Sequence, residues 1–398
     1  MSVTGPKGFL AAGLVAGLKP SGRPDLGLLV GAPGTSAAGL FTTNRAAAAP
    51  VAIGRERIAA GSARAVLVNS GQANAATGAR GDADARAVTA EAAELLGLTP
   101  DELLPCSTGV IGEPLHLDAM TSALPRLAAS LSEDGGGAFA EAIMTTDTVP
   151  KVAGASGGGH VRVGGCAKGV GMIAPNLATM LAFVTTDAAV AADDLRRLAR
   201  EQLEPRFESL TVDGCTSTND TVLLFASGAA GEPRVEPGSP AWDRLVAGVA
   251  EVGESLLRQL AADAEGVTHV LIVDVEGATD DGQARLVAKA VADSALVKTA
   301  AFGGDPNPGR ILQAVGSSGA DVDGDRITIA IGDVEVVRGG VIPPGYFGGE
   351  PVAERARAAM RGSEIAIGVS VGAGDGRARA FGCDLGYGYV RINGEYTT

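Results

Sequence analysis

Residues 164–188 read Gly-Gly-Cys-Ala-Lys-Gly-Val-Gly-Met-Ile-Ala-Pro-Asn-Leu-Ala-Thr-Met-Leu-Ala-Phe-Val-Thr-Thr-Asp-Ala, and their order could create a nucleophile. A threonine hydroxyl is weak and needs an adjacent base, yet no histidine lies in this segment. If the Ala178–Thr179 bond breaks, Thr179 gains its own α-amine, whose pKa of about 7.7–8.0 suits general-base work near neutrality. The same hydroxyl can make the cut by attacking the Ala178 carbonyl, forming an ester that water opens. β-Branching restricts χ1 and keeps the oxygen aimed. The glycines around Lys168 permit close approach of a ligand, and Pro175 stiffens the approach to Ala178. Taken alone, Ala-Thr before an apolar run reads more simply as the start of a strand. The lysine segment also lacks the GxxxxGK[ST] spacing of a phosphate loop.

Other reactive side chains are sparse. Cys106, Cys166, Cys215 and Cys383 are far apart with no CxxC pairing, and read as isolated thiols in a reducing compartment. His116, His160 and His269 form no HExxH or Cys/His cluster, and read as structural or surface residues. No metal site is expected, and any such site would need carboxylates. Gly372-Ala-Gly374-Asp-Gly376 lacks the following helix of a dinucleotide fingerprint. Asn219-Asp-Thr221 fits a glycosylation triplet, but nothing suggests secretion. Asp213, Asp220 and Asp384 could orient polar networks, a role their spacing does not settle.

The elements that must position these groups alternate along 398 residues, long enough for two lobes and a sizeable core. Val66–Val68 and Met180–Val184 read as buried strands. Asp82–Leu98, Asp193–Glu204 (ended by Pro205), Trp242–Ala264 and Gln283–Ala300 read as helices. Val267–Val275 and Arg326–Val337 have strand character, and Pro351–Arg361 reads as a last short helix. Gly154–Gly159 and Gly228–Pro240 read as loops. The fold class is α/β, a two-lobed arrangement of sheets and helices. Aromatics at 4% and a net charge of −14 oppose nucleic acid or an anionic membrane as partner. Lys7 and the apolar Gly8–Leu18 have the size of a signal core, but glycines interrupt them and no clear cleavage site follows. A strand and turn in a cytoplasmic protein is the expectation.

The run from Lys168 to Phe183 resembles the processing signature of ornithine acetyltransferases, also called glutamate N-acetyltransferases. So do blocks along almost the whole chain: Asn69-Ser-Gly-Gln-Ala-Asn-Ala, Cys106-Ser-Thr-Gly-Val-Ile-Gly, Ile143-Met-Thr-Thr-Asp-Thr, Ser217-Thr-Asn-Asp-Thr-Val, Ala264-Glu-Gly-Val-Thr, Leu296 to Asn307, and the tail from Gly382. The resemblance implies self-cleavage into segments 1–178 and 179–398 that stay together, as an α2β2 heterotetramer. It makes Thr179 the acetylated nucleophile, and Thr108 and Gly109 the oxyanion hole. Thr145, Lys168, Thr179, Glu265, Asn393 and Thr398 would bind substrate. Without the resemblance, Ser107-Thr108-Gly109 reads as a turn, Lys168 and Glu265 as solvated charges, and Asn393 and Thr398 as a frayed tail.

The implied reaction moves acetyl from N-acetylornithine to glutamate in arginine biosynthesis, with no cofactor. Acetyl-CoA is an alternative donor, a self-processed aminopeptidase or amidase an alternative activity, and a specialised-metabolism paralogue a variant. Two departures stand out: Pro308 where the family usually has Trp, and His269 where it often has Lys. Neither carries a catalytic role, but both leave acceptor preference open.

Overall fold

A computed structural model describes residues 2–174, 180–348 and 351–395. Ala178, Thr179 and Thr398 lie outside the described residues. The chain begins with strands β1 (Phe9–Leu14), β2 (Leu26–Gly31) and β3 (Ser36–Phe41). Helix α1 (Ala49–Ala60), β4 (Ala65–Gln72), α2 (Gly78–Leu95), β5 (Leu103–Val110), α3 (Leu117–Ala129) and α4 (Gly136–Ala142) follow. The hairpin β6 (Lys151–Gly158) and β7 (Val161–Lys168) leads to β8 (Leu181–Thr186), α5 (Ala192–Gln202), α6 (Glu204–Phe207), β9 (Thr221–Ala226) and α7 (Pro240–Ala262). The remainder is β10 (Val270–Ala278), α8 (Asp281–Asp293), α9 (Ala295–Phe302), α10 (Pro308–Gly316), β11 (Thr328–Ile331), β12 (Val334–Val337), α11 (Pro351–Ala359), β13 (Glu364–Ser370), β14 (Gly376–Cys383) and α12 (Tyr387–Glu395).

Two sheets, ordered β1-β2-β4-β5 and β3-β9-β8-β7-β6, pack face to face. Val66, Val68 and Leu104 of the first meet Leu181, Phe183, Leu223 and Phe225 of the second. Phe139 of α4 enters between them, its ring edge-on to Phe183 at 5.2 Å. Helices α2 and α3 cover the outer face of the first sheet, and α5 and α7 that of the second. The result is a helix–sheet–sheet–helix sandwich. Strands β8 and β9 are buried on both faces: Ala182, Val184, Val222 and Leu224 point to the helices, their neighbours to the other sheet. Such strands must be apolar throughout, as Leu181–Val184 is.

The second lobe is built on a sheet ordered β12-β11-β13-β10-β14. One face packs Leu271, Val273, Ile329, Ile365 and Ile367 against α8 to α11. The other leaves Asp274 and Glu276 exposed, so β10 alternates apolar-in and charged-out. The α/β two-lobed expectation therefore holds.

Some local expectations change. Gly154–Gly159 is not a loop, because most of it forms β6. Small residues here admit α7, whose Gly248 passes so near that a Cβ would lie 2.6 Å from the Ser156 carbonyl. The helix expected over 283–300 divides at Ser294, whose extended backbone ends α8 and whose hydroxyl caps Val297 to begin α9. Residues 326–337 fold as a hairpin turning at Gly332, which has φ +60°. Pro205 not only follows α5 but opens α6. The helix at Pro351 is followed by another, α12. Pro308 takes the first turn of α10 behind an Asn307 cap, where proline costs no hydrogen bond.

Candidate active site

Ser107-Thr108-Gly109 is the end of β5, not a turn. It pairs in parallel with β4, setting Ser70 opposite Thr108 and Gly71 opposite Gly109. Gly109 has φ +130°, and a Cβ there would fall 2.2 Å from the Gly71 carbonyl oxygen, so only glycine fits. The strand end is braced from below. Ser107 Oγ donates to Asn69 Oδ1 at 2.6 Å, and Asn219 Nδ2 donates to the carbonyls of Ser107 (2.9 Å) and Ala73 (2.6 Å). Asn219 and Asp220 are buried at the entry to β9, which also removes the glycosylation reading of that triplet.

Lys168 closes β7 and is buried, not solvated. Its Nζ donates to Thr108 Oγ1 at 3.1 Å. A hydroxyl that accepts from an ammonium donates its own proton more readily, as cooperative hydrogen bonding requires. Burial lowers the Lys168 pKa, Asp147 opposes that, and Lys151 adds to it. Asp147 is the hub: Oδ1 accepts from Lys151 Nζ (2.6 Å) and Gly169 N (2.9 Å), and Oδ2 from Thr145 N (3.0 Å). Burial disfavours its charge, but Lys168 and Lys151 outweigh that and bring its pKa down to about 2.

Glu265 is also buried, and its backbone N–H is bonded to the Val170 carbonyl. Its Oε1 accepts from Thr146 Oγ1 at 3.0 Å, and its Oε2 from Asn393 Nδ2 at 2.8 Å. Asn393 thus belongs to α12 and reaches the site. Gly171 makes room for this carboxylate, since a Cβ there would lie 2.4 Å from Oε2.

Two acids named in the sequence without a role acquire one. Asp213 accepts from the amides of Met172 (2.6 Å), Ile173 (3.0 Å) and Cys215 (3.1 Å), and from Tyr389 Oη (3.2 Å). It thereby fixes the glycine-rich segment and α12 together, and holds Met172 at φ +54°, a conformation side chains rarely take. Asp220 Oδ1 accepts from Met180 N at 3.1 Å, while its buried Oδ2 has no hydrogen-bond partner among the described residues. Burial pushes the Asp220 carboxyl well above the usual range. No spacing in the sequence signals either contact, because β8 and β9 pair across forty residues. Asp384, the third such acid, instead receives the amides of Thr268 (2.8 Å) and His269 (2.9 Å).

Thr108, Gly109, Thr145, Lys168, Asp213, Glu265 and Asn393 converge on one cavity of about 570 Å³. Every described residue expected to carry chemistry lies on it. Lys19, which the sequence reading missed, lines it too, and His116 stands at its margin. His160 and His269 are not on it. A depression of about 600 Å³ lies on the open face of the third sheet, but its charges are exposed and two of them, Arg379 and Asp274, pair with each other. Among the described residues no group of three or more His, Cys, Asp or Glu side chains could hold a metal ion. No helix there is long and apolar enough to cross a membrane.

Comparison with known proteins agrees with the geometry. The sequence model of the ArgJ family matches residues 10–398. The arginine biosynthesis bifunctional protein ArgJ of Symbiobacterium thermophilum is 47% identical, covering 100% of this chain and 98% of its own. That of Thermus thermophilus is 46% identical over 100% of both. The crystal structure of the Bacillus halodurans protein of the same name superposes with a TM-score of 0.52 at 39% identity, over 55% of this chain and 100% of that one. With a family match from Phe9's neighbour to the last residue and near-half identity along full-length relatives, the chain belongs to the ArgJ family.

Proposed function

We propose that the protein is a glutamate N-acetyltransferase that moves acetyl from N2-acetyl-L-ornithine to L-glutamate through an ester on Thr179. Support comes from one observation above all: Thr108, Gly109, Lys168 and Glu265 converge on a cavity entered by residues 170–172, the chain leading to the cleavage site. On the other side of that site, Leu181 pairs with Lys168.

In this reading Thr179 Oγ first attacks the Ala178 carbonyl, its C–N bond breaks, and water opens the ester, leaving a free α-amine on Thr179. In turnover that amine takes the hydroxyl proton while Oγ attacks the acetyl carbon of N-acetylornithine. The oxyanion is met by the Gly109 N–H and the Thr108 hydroxyl, the latter polarised by Lys168. Collapse expels ornithine, protonated by the Thr179 ammonium. Glutamate's α-amine then attacks the ester and carries the acetyl away. Lys168 and Thr145 hold the α-carboxylate. Glu265, oriented by Thr146 and Asn393, takes ornithine's side-chain ammonium, and Thr398 completes the site. The acetyl group travels on the enzyme, so no cofactor takes part.

The test is a donor-only incubation followed by intact-mass measurement. One acetyl group should appear on the 179–398 fragment alone, glutamate should discharge it, and double-reciprocal plots should be parallel. Converging plots with no acetylated fragment would reject the scheme, and rapid acetate release without glutamate would favour an amidase. The relatives' description as bifunctional favours a second donor, acetyl-CoA, which the same assay checks.

A further inference from the structure

Donor and acceptor set this cavity contradictory demands. Both present the same α-nitrogen to Thr179, so their side chains start from the same point in the cavity. Ornithine's ends in an ammonium and glutamate's in a carboxylate. Glu265 suits the first and repels the second. A site that binds both in turn needs a second cation on the same cavity, because Lys168 already serves Thr108 and, in the reading above, the α-carboxylate.

Lys19 meets that need. It follows β1, is half-buried, and lines the cavity. Its Nζ donates to the Met144 carbonyl (2.6 Å) and the Pro24 carbonyl (2.7 Å), both neutral acceptors. An ammonium has three donors, so one remains without a partner among the described residues. The nearby acids are occupied. Asp25 accepts from the amides of Ala16 (2.6 Å), Leu18 (2.6 Å) and Lys19 (3.1 Å), and Asp147 from Lys151, Gly169 and Thr145. Burial brings the Lys19 pKa down to about 8, with Asp25 opposing and Lys168 reinforcing the shift. Two partly desolvated cations facing one cavity form a place for an anion.

The mounting is specific. Met144 holds Lys19 by its carbonyl, while Thr146 holds Glu265 by its hydroxyl. Residues 144 and 146 are no more than roughly 7 Å apart along the chain, so one short stretch carries both signs of charge, with Thr145 between them.

We infer that Lys19 is the acceptor-specificity residue, binding the side-chain carboxylate of the incoming dicarboxylic amino acid while Glu265 serves the side-chain ammonium of the donor. This rests on the acetyltransferase reading above. The acceptor's side chain then swings to the Lys19 end of the 144–146 stretch, and the donor's to the Glu265 end.

The experiment pre-acetylates the cleaved protein with N-acetylornithine, then measures discharge by glutamate and by glutamine, its neutral isostere. Wild type should prefer glutamate. In Lys19→Met the glutamate-to-glutamine ratio should fall by roughly tenfold or more, as loss of one charge-assisted contact predicts. Lys19→Arg should keep most of the preference. Lys19→Gln, which retains N–H donors for the carbonyls, repeats the neutral case if methionine unsettles the loop. An unchanged ratio in the neutral variants, or equal loss with both acceptors, would overturn the inference. If wild type takes no acetyl from N-acetylornithine, the parent reading fails and this one with it.

Discussion

In the sandwich, Lys151, Lys168, Asp147, Asp220 and Glu265 are withdrawn from water, and Lys168 and Glu265 line one cavity. In the lobe built on the third sheet, Asp274, Glu276, Arg377 and Arg379 stand on an open face, and the interior is aliphatic. Among the described residues Lys298 and Asp384 are exceptions, both buried, Lys298 with Cys383 Sγ 3.9 Å away. Withdrawing ions from water costs several kcal/mol each before pairing returns part of it. The sandwich bears that cost where the proposed chemistry calls for fixed charges, and the other lobe largely avoids it. Substitutions should therefore separate by lobe, those in the first altering reaction rates and those in the second altering stability.

Thr179→Ala would test the contrast most severely. It should abolish both cleavage and acetyl transfer, leaving one uncut chain by mass with an unfolding midpoint near that of wild type. Next in size, Ile329→Ala in the core of the second lobe should cost about 2–5 kcal/mol in denaturant unfolding. Its kcat/KM should stay within about twofold. A large kinetic loss there would show that the lobes are not separable.

Lys168→Met should do the opposite. With its bond to Thr108 gone, kcat/KM should fall by roughly ten- to a hundredfold, equivalent to about 1.5–3 kcal/mol. Stability should change much less than in Ile329→Ala, because Asp147 keeps Lys151.

Acid titration gives a smaller signal. The folded-state pKa of Asp147, about 2, lies below its ordinary value of about 3.9. The stability it contributes is complete above that ordinary value and is lost as pH falls from about 4 to about 2. The size is about 2 kcal/mol. The stability gap between wild type and Asp147→Asn should close across that window. A gap independent of pH would mean that shape, not charge, is what Asp147 supplies. Smallest of all, Arg379→Ala removes an exposed pair with Asp274 and should shift stability by at most about 1 kcal/mol.

Much of the architecture was legible because periodicity survives burial. The unbroken run at 181–184 marked a doubly covered strand, and the Leu and Val spacing at 242–264 marked α7. The glycine-rich strand β6 was not legible, since the reason for its small residues is a helix that arrives ninety residues later. Thr108, Gly109, Thr145, Lys168, Glu265 and Asn393 were reached through family resemblance, not local pattern. By pattern alone Lys168 and Glu265 read as solvated, and their burial is a tertiary fact. Lys19 was missed for the same reason: its partners are carbonyls at residues 24 and 144, and a carbonyl leaves no trace in residue type.

The second sheet runs β3-β9-β8-β7-β6. A cut between residues 178 and 179 assigns β3, β7 and β6 to one polypeptide and interleaves β9 and β8 of another between them. The hydrogen-bonded ladders β3–β9 and β7–β8 would then join separate molecules. Refolding the intact chain is first order, whereas refolding the cut pieces is second order, with a rate that falls on dilution. Dispersed in denaturant and returned to buffer, precursor should recover equally at all concentrations, and mature protein only when its halves are abundant enough to meet. Such a scission would make assembly history matter: the sheet would be built once, while the chain is whole, and its persistence afterwards would depend on never coming apart.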